Sequence, residues 1–197
     1  MSEEKPLTQE ESLALITSMI SKAKCDYEET GISALMWGSI VCFCSIISFA
    51  GFYQHWDWAN YVWFLTIVAV IPQIIIAIRE SKRRKFKSHN DDAMSGIWIS
   101  FGVGIFLMSY FVNLFKVEHE GSLYIIFYGI PTFATGLARN FKPMIIGGII
   151  CWAIAIVSFY ISFPDIMLLT ALAAIIAWFI PGLILRRRYQ KLKNENV

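Results

Sequence analysis

Two histidines lie beside carboxylates in short segments that connect apolar stretches. His55 is followed two residues later by Asp57. His119 lies between Glu118 and Glu120. Imidazole nitrogens and carboxylate oxygens bind zinc and similar ions, so these five side chains would form a shallow metal or proton sensor if their two segments met. Isolated histidines in loops are usually solvated and nothing here imposes ligand spacing. We therefore predict no metal site, and these five residues are the candidates to check.

Gln73 is the polar residue within an apolar stretch that most needs a partner. A hydroxyl group can bond back to its own helix, but a glutamine amide does so less easily. We predict that Gln73 hydrogen-bonds between helices, for example to a carbonyl freed by a proline. The alternative is that its amide contacts a solute.

Three prolines recur at similar places in the sequence pattern. Ile-Pro occurs near the end of every second apolar stretch, at Pro72, Pro131 and Pro181. A tryptophan precedes these prolines by 35, 33 and 29 residues, a weak repeat that suggests three helical hairpins. Each proline frees the carbonyl four residues earlier and kinks its helix. The kinks either splay one end of the bundle into a vestibule or are simply tolerated, because proline is common in membrane helices.

The sequence contains no recognisable set of catalytic residues. It has no G-x-S-x-G, no H-E-x-x-H and no glycine-rich phosphate loop. No Asp, Glu, Lys, Arg or His lies in the middle of an apolar stretch. Buried ionisable groups relay protons or hold cations in pumps and ion-coupled carriers. We therefore expect neither an enzyme nor an ion-coupled carrier, and no cofactor.

Six apolar segments position these residues. Each is about 17 to 23 residues long, the length at which a helix crosses a ~30 Å hydrocarbon core. Hydrophobic residues make up 56% of the chain, above the usual content of a soluble domain. The predicted transmembrane spans lie at about residues 32–52, 60–78, 94–115, 122–138, 143–161 and 166–185.

The basic residues predict the orientation of the spans. Sixteen of the seventeen Lys and Arg residues fall into four stretches that alternate with pairs of spans, and only Lys116 lies elsewhere. The stretches are the first thirty residues, Arg79 to Lys87, Arg139 to Lys142, and Arg186 to Lys193. Basic residues are retained on the cytoplasmic side, so both termini are predicted to be cytoplasmic. These charges meet anionic lipid headgroups and are no sign of nucleic-acid binding.

The first thirty residues are predicted to contain an amphipathic helix. Thr8 and Glu11 form a capping box, and the apolar residues that follow fall within an arc of about 160°. Leu13, Ile16 and Ile20 lie on this face and would dock on a cytoplasmic protein. The alternative is that the helix packs against the protein's own kinked helices. The predicted organisation is a cytoplasmic tail and amphipathic helix over 1–30, a six-span domain over 31–188, and a cytoplasmic tail over 189–197.

These features together predict an all-α integral membrane bundle of six transmembrane helices in the cell membrane. The layout resembles that of small multi-span proteins of bacterial membranes with an amphipathic cytoplasmic helix before the first span. Some families of that plan work beside a cytoplasmic transcription regulator. The resemblance is one of layout and transfers no functional residues. The leading hypothesis is a non-enzymatic sensor or accessory subunit that acts through a cytoplasmic partner protein, with a homo-oligomer also open. The alternative is a passive transporter or channel for a small neutral solute.

Overall fold

The helices of the protein follow the apolar segments. The computed structural model describes Leu13, residues 30–83 and residues 89–195, and every regular element in these residues is helical. The α-helices of this part of the chain are α1 (Ile32–Tyr53), α2 (Phe64–Val68), α3 (Val70–Arg83), α4 (His89–Phe115), α5 (Glu120–Ala138), α6 (Lys142–Ser158), α7 (Asp165–Ala174) and α8 (Ile180–Glu195). A 3-10 turn, Ala59–Trp63, precedes α2, and a π-helical segment, Ile175–Phe179, joins α7 to α8.

Several of these helices are long and apolar enough to cross a membrane. Within the described residues there are five such stretches: Ile32–Tyr53, Ala59–Lys82, Asp92–Phe115, Glu120–Ala138 and Asp165–Asn194. The predicted first, second, third, fourth and sixth spans lie within them. Helix α6 is apolar but shorter, with 17 residues, and the predicted fifth span extends beyond its last residue, Ser158.

The core lies where α1, α5 and α6 meet the continuous helical stretch Asp165–Asn194, which runs from α7 through the π-helical segment into α8. Each of these elements contributes buried residues, among them Val41, Ile125, Cys151 and Ala173. Small side chains at such positions let helix backbones approach closely, which is the main way that apolar helices gain packing energy in lipid. These helices therefore form the closely packed part of the bundle.

Helices α5 and α6 pack against each other along their whole length. A methyl group added at Gly136 would lie 2.6 Å from the Ile145 nitrogen, so the two backbones are in direct contact there. At the other end of the pair, Ser158 Oγ lies 2.7 Å from Ser122 Oγ. The two helices are antiparallel, and α6 extends as far along the bundle as α5.

The second span, Ala59–Lys82, and α4 lie at the edge of the bundle. Only 6% of the apolar stretch of each is buried, compared with 50% for Glu120–Ala138. The second span packs mainly on α1, and α4 packs mainly on α5, where Gly104 meets the Phe127 ring. The opposite face of each is apolar and exposed, as at Phe106, which is 71% exposed.

The connections between helices gather at two ends of the bundle. At one end the Phe52 and Phe163 rings lie 5.3 Å apart, and the loops after α4 and α6 line one cavity. At the opposite end Phe141 packs with Leu185. Among the described residues, Lys116 is the only Lys or Arg at the first end. We call the opposite end, where Phe141 lies, the basic end, and the first end, where Phe163 lies, the Phe163 end.

Candidate functional site

The two histidines that lie beside carboxylates, His55 and His119, are at turns and do not share a metal site. His55 and His119 both have a left-handed backbone, with φ of 55° and 56°. Within the described residues, no group of three or more His, Cys, Asp and Glu is close enough to hold a metal ion. Asp57, Glu118 and Glu120 therefore do not complete such a group with either histidine.

A cavity at the Phe163 end includes three of these five candidates. It has a volume of 340 Å³ and is lined by Val117, Glu118, His119, Glu120, Gly121, Ser162, Phe163, Ile166 and Met167. The His119 ring lies 6.0 Å from the Phe159 ring. The loops after α4 and α6 thus meet here, whereas the sequence analysis considered a meeting of the two loops that hold His55 and His119.

Most of the predicted docking surface lies outside the described residues. Of its three residues only Leu13 is described, and it is helical and 71% exposed. Ile16 and Ile20 lie outside this part of the chain. The docking role of the amphipathic helix stays a prediction.

Gln73 is hydrogen-bonded within the bundle. The Trp37 indole donates from Nε1 to Gln73 Oε1 over 3.1 Å. This bond joins α1 to α3, so the amide has the interhelical partner that its chemistry requires. The partner is an indole and not a carbonyl freed by a proline.

Two further indoles make bonds of the same kind. Trp98 Nε1 donates to Thr135 Oγ1 over 3.1 Å, and Trp178 Nε1 donates to Thr132 Oγ1 over 2.8 Å. We call these two bonds, together with that of Trp37 to Gln73, the indole bonds. The sequence interpretation did not pair these residues. The available signal was the need of each indole N–H for an acceptor in an apolar environment.

A second row of bonds lies nearer the Phe163 end and follows a regular spacing. Trp63 Nε1 donates to Ser48 Oγ over 2.9 Å, and Tyr124 donates to Ser109 Oγ over 2.8 Å. Three pairs of similar residues are each separated by 61 positions in the sequence. They are Trp37 and Trp98, Ser48 and Ser109, and Trp63 and Tyr124. The first and second spans therefore share a bonding pattern with the third and fourth.

Trp152, the third tryptophan of the sequence repeat, is bonded differently. Its indole donates to the Ile126 carbonyl over 3.3 Å and lies against Gly129, so its contacts are with α5. Trp37 and Trp98 instead bond to the span that follows their own. The shared bonding pattern thus covers the first four spans and does not include Trp152.

The three prolines lie in different environments. Pro72 is exposed and follows the break at Ala69 between α2 and α3. Pro131 is buried inside α5, which continues through it. Pro181 is buried at the start of α8, directly after the π-helical segment. Of the three, only Pro131 lines the larger of the two cavities described here, so the kinks do not open onto that space together.

The π-helical segment is explained by Pro181. Proline lacks an N–H group, and its ring meets the carbonyl four residues earlier, here that of Ala177. The chain accommodates this with a wider turn, in which the Ile180 N–H donates to the Ile175 carbonyl. Such π turns are frequent at functional sites. The sequence interpretation placed a kink at Pro181 but did not foresee this geometry.

Glycines on both sides make room for the wider turn. A methyl group added at Gly38 of α1 would lie 2.8 Å from the Phe179 nitrogen. One added at Gly147 of α6 would lie 3.0 Å from the Ile176 carbonyl oxygen. The π-helical segment is therefore held between α1 and α6, and it places Trp178 in the core, where it is 3% exposed.

An apolar groove lies between α4 and α5 on the side of the basic end. It has a volume of 480 Å³ and is lined by Ala93, Gly96, Ile97, Ser100, Phe101, Phe127, Ile130 and Pro131. We call it the α4–α5 groove. Ser100 contributes its only polar side chain. The Phe101 ring also packs edge-on against Trp178, with centroids 6.2 Å apart, so one wall of the groove belongs to the core.

The comparisons with known proteins identify no relative. No family model, curated protein or solved structure matches the chain. The function therefore has to be inferred from the contacts of the chain itself.

Proposed function

We propose that the chain is a non-enzymatic, multi-pass protein of the cell membrane that acts as a sensor or accessory subunit through a protein partner. The observation that supports this proposal best is that polar side chains within the apolar stretches form hydrogen bonds inside the bundle. Gln73, Thr132 and Thr135 accept hydrogen bonds from indoles, and Thr132, Ser109 and Thr170 donate to carbonyls of their own helices, whereas Ser45 Oγ is buried without a partner. Little is left over for catalysis or for a solute.

The indole bonds are the main part of this observation. They engage Gln73, Thr132 and Thr135, the acceptors that would otherwise be available at the level of the prolines. Hydroxyl groups elsewhere bond to backbone carbonyls one turn earlier, as Thr170 does to Ile166. A solute path requires polar groups that face a lumen. The passive transporter is therefore the weaker alternative, because Gln73 was the residue that motivated it.

The proposal includes six spans with both termini cytoplasmic. Helix α6 has only 17 residues, about 25 Å at 1.5 Å per residue, but it runs beside the full length of α5. Its neighbour α5 is long enough to span. If α6 also crosses, all connections after odd-numbered spans lie at the Phe163 end, which then faces outward. The Lys and Arg residues of the described chain, except Lys116, then lie at the cytoplasmic end, as the positive-inside rule requires.

Cysteine labelling tests this topology. In a chain without its native cysteines, single cysteines are placed by Asn140→Cys and Ser162→Cys, at the two ends of α6. A membrane-impermeant maleimide added to intact cells should label only Ser162→Cys, and Asn140→Cys should react after permeabilisation. Equal labelling of both positions in intact cells would mean that α6 does not cross.

The partner proposal is tested with the amphipathic helix. The protein is extracted gently from its own membrane and analysed by native mass spectrometry, and a stoichiometric second protein is expected. The double substitution Ile16→Asp with Ile20→Asp should abolish recovery of that protein while membrane insertion is unchanged. The matched control is Ser18→Asp with Ser21→Asp, which adds the same charge to the opposite face and should leave recovery intact.

The outcomes separate the candidate functions. Recovery that survives both double substitutions would rule out docking through the apolar face of this helix. A lone chain that retains a small polar molecule would favour the transporter. In that case reconstituted vesicles should show a solute flux that falls in Gln73→Leu.

A further inference from the structure

We infer that the end of the N-terminal segment, residues 20–29, packs as a helix along the part of α8 that extends past α1 at the basic end. We call this part, residues 187–195, the α8 extension. Apart from Leu13, residues 1–29 lie outside the described part of the chain. The packing involves one chain alone and needs no partner protein, so it can be tested separately from the proposed function.

Thr30 and Gly31 fix the point at which the N-terminal segment reaches the bundle. A Cβ atom added at Gly31 would lie 2.9 Å from the Arg186 nitrogen and 3.0 Å from Leu185 Cβ. Thr30 is buried, and its hydroxyl donates a hydrogen bond to the Glu80 carboxylate on α3. The chain before Thr30 therefore starts beside the first residue of the α8 extension.

The α8 extension carries an apolar stripe on the side that faces this point. Because α8 ends at Glu195, the extension is about 13 Å long at 1.5 Å per residue. Tyr189 and Leu192 follow Leu185 at intervals of four and seven residues, which places them on the same side of the helix. Both are partly buried. A helix that leaves Thr30 along the extension would lie directly against them.

The N-terminal segment has a matching stripe. Ile20, Ala23 and Tyr27 are spaced by three and four residues, so a helix presents them on one face. The segment runs antiparallel to the extension, because it ends where the extension begins. Equal steps back from Thr30 and forward from Arg186 bring Tyr27 level with Tyr189, and Ala23 level with Leu192 to within one residue.

The exposure of Leu13 agrees with this register. Two helices with the same rise pair residue for residue, so the α8 extension reaches back from Thr30 only to about residue 20. Leu13 then lies beyond the end of α8, and it is 71% exposed. Leu13 and Ile16 stay available for the partner protein of the proposed function.

The charges of the two segments are complementary. Three of the last four residues before Thr30 are acidic, namely Asp26, Glu28 and Glu29. Arg186 and Lys193, seven residues apart on α8, border the apolar stripe. The register brings these acidic and basic residues within a few turns of each other, where opposite charges attract within a Debye length of about 8–10 Å.

Other charged groups at the basic end fit the α8 extension less well. Residues 84–88, which also lie outside the described part, contain Arg84, Lys85 and Lys87 and would be repelled by it. Asp91 and Asp92 lie in the first turn of α4, which packs mainly on α5. The N-terminal segment is thus the acidic segment that the chain itself brings to this side of α8.

Disulfide formation between facing positions tests this packing. The four native cysteines are replaced by alanine, and the full chain is purified and placed in lipid nanodiscs. The facing pairs are Ala23→Cys with Leu192→Cys, and Tyr27→Cys with Tyr189→Cys. Each control pair keeps the N-terminal position and uses Lys191→Cys or Arg187→Cys, which lie at a similar height on the other side of α8. Each pair is oxidised with copper phenanthroline, and mass spectrometry of tryptic peptides locates the disulfide.

Both facing pairs should form disulfides within one chain at least about tenfold faster than their control pairs, because the Cβ atoms of a disulfide lie only about 3.5–4.5 Å apart. Equal rates in facing and control pairs would overturn the packing, because a tethered segment that is not packed reaches both sides of α8. Disulfides mainly between two chains would assign the segment to a second copy and overturn it. Absence of a disulfide from both facing pairs would place the segment elsewhere and also overturn it.

Discussion

The close approach of α5 and α6 predicts a large cost for one added methyl group. In Gly136→Ala the new carbon would lie 2.6 Å from the Ile145 nitrogen and 3.0 Å from the Met144 carbonyl carbon. Both are backbone atoms, and the optimal separation of non-bonded heavy atoms is about 3.5–4.0 Å. The two helices must therefore move apart. Overpacking of this kind costs about 1–3 kcal/mol.

A second term opposes this cost. Alanine is favoured over glycine within a helix by about 1 kcal/mol. The net effect of Gly136→Ala should be a loss of about 0–2 kcal/mol in the free energy of unfolding, from the difference of these two terms. Gly102→Ala is the matched control, because its methyl group would meet nothing within 4 Å. It should leave stability unchanged or raise it by up to ~1 kcal/mol.

The assay is reversible unfolding of the purified protein in mixed micelles, followed by circular dichroism as the fraction of denaturing detergent rises. The expected order of stability is Gly102→Ala, wild type, Gly136→Ala. If Gly136→Ala is as stable as Gly102→Ala, the backbones of α5 and α6 are not in contact at this position. The antiparallel pairing on which the six-span proposal depends would then be wrong.

Three further predictions concern the indole bonds. In a double-mutant cycle, Trp37→Phe and Gln73→Leu should show a coupling free energy of about 0.6–1.7 kcal/mol, as measured for interhelical hydrogen bonds in membranes. A coupling free energy of zero would mean that this bond does not stabilise the fold. Vesicles that contain Gln73→Leu should show the same permeability to small neutral solutes as vesicles with the wild type, because the carbonyl oxygen of this amide already accepts a hydrogen bond from Trp37; a reduced flux would favour the transporter. Trp178→Phe should lower the free energy of unfolding by about 1–3 kcal/mol, because Thr132 loses its donor within the core; a melting temperature equal to that of the wild type would contradict the 2.8 Å bond.

The positions of the membrane helices were predictable from local sequence. Long apolar runs interrupted by charged clusters identify helices of spanning length, because every backbone group in lipid must be hydrogen-bonded within its own helix. The structure follows this expectation for five of the six predicted spans in the described residues. The end of the fifth was misplaced because residues 159–161 are apolar but form a turn before Pro164. Apolar character alone does not mark where a helix ends.

The candidate sites were less predictable. The need of Gln73 for an interhelical partner follows from the chemistry of an amide in hydrocarbon, but its identity depends on which helix lies beside α3. The metal candidates illustrate the opposite case. His55 and His119 have ligand chemistry in their side chains, yet their loops do not assemble a ligand group, because loop conformation is set by turn geometry and by neighbouring helices.

What the sequence determined by itself is therefore the type of protein: an apolar, helical chain whose Lys and Arg residues, apart from Lys116, cluster between pairs of apolar stretches, with no Asp, Glu, Lys, Arg or His in the middle of a stretch. These properties depend on the length and composition of single segments. The tertiary structure decided the rest, namely the pairing of α5 with α6, the indole bonds, the π turn at Pro181 and the α4–α5 groove. Each of these depends on contacts between residues far apart in the chain, where a glycine or a hydroxyl acquires its role only from the helix that faces it.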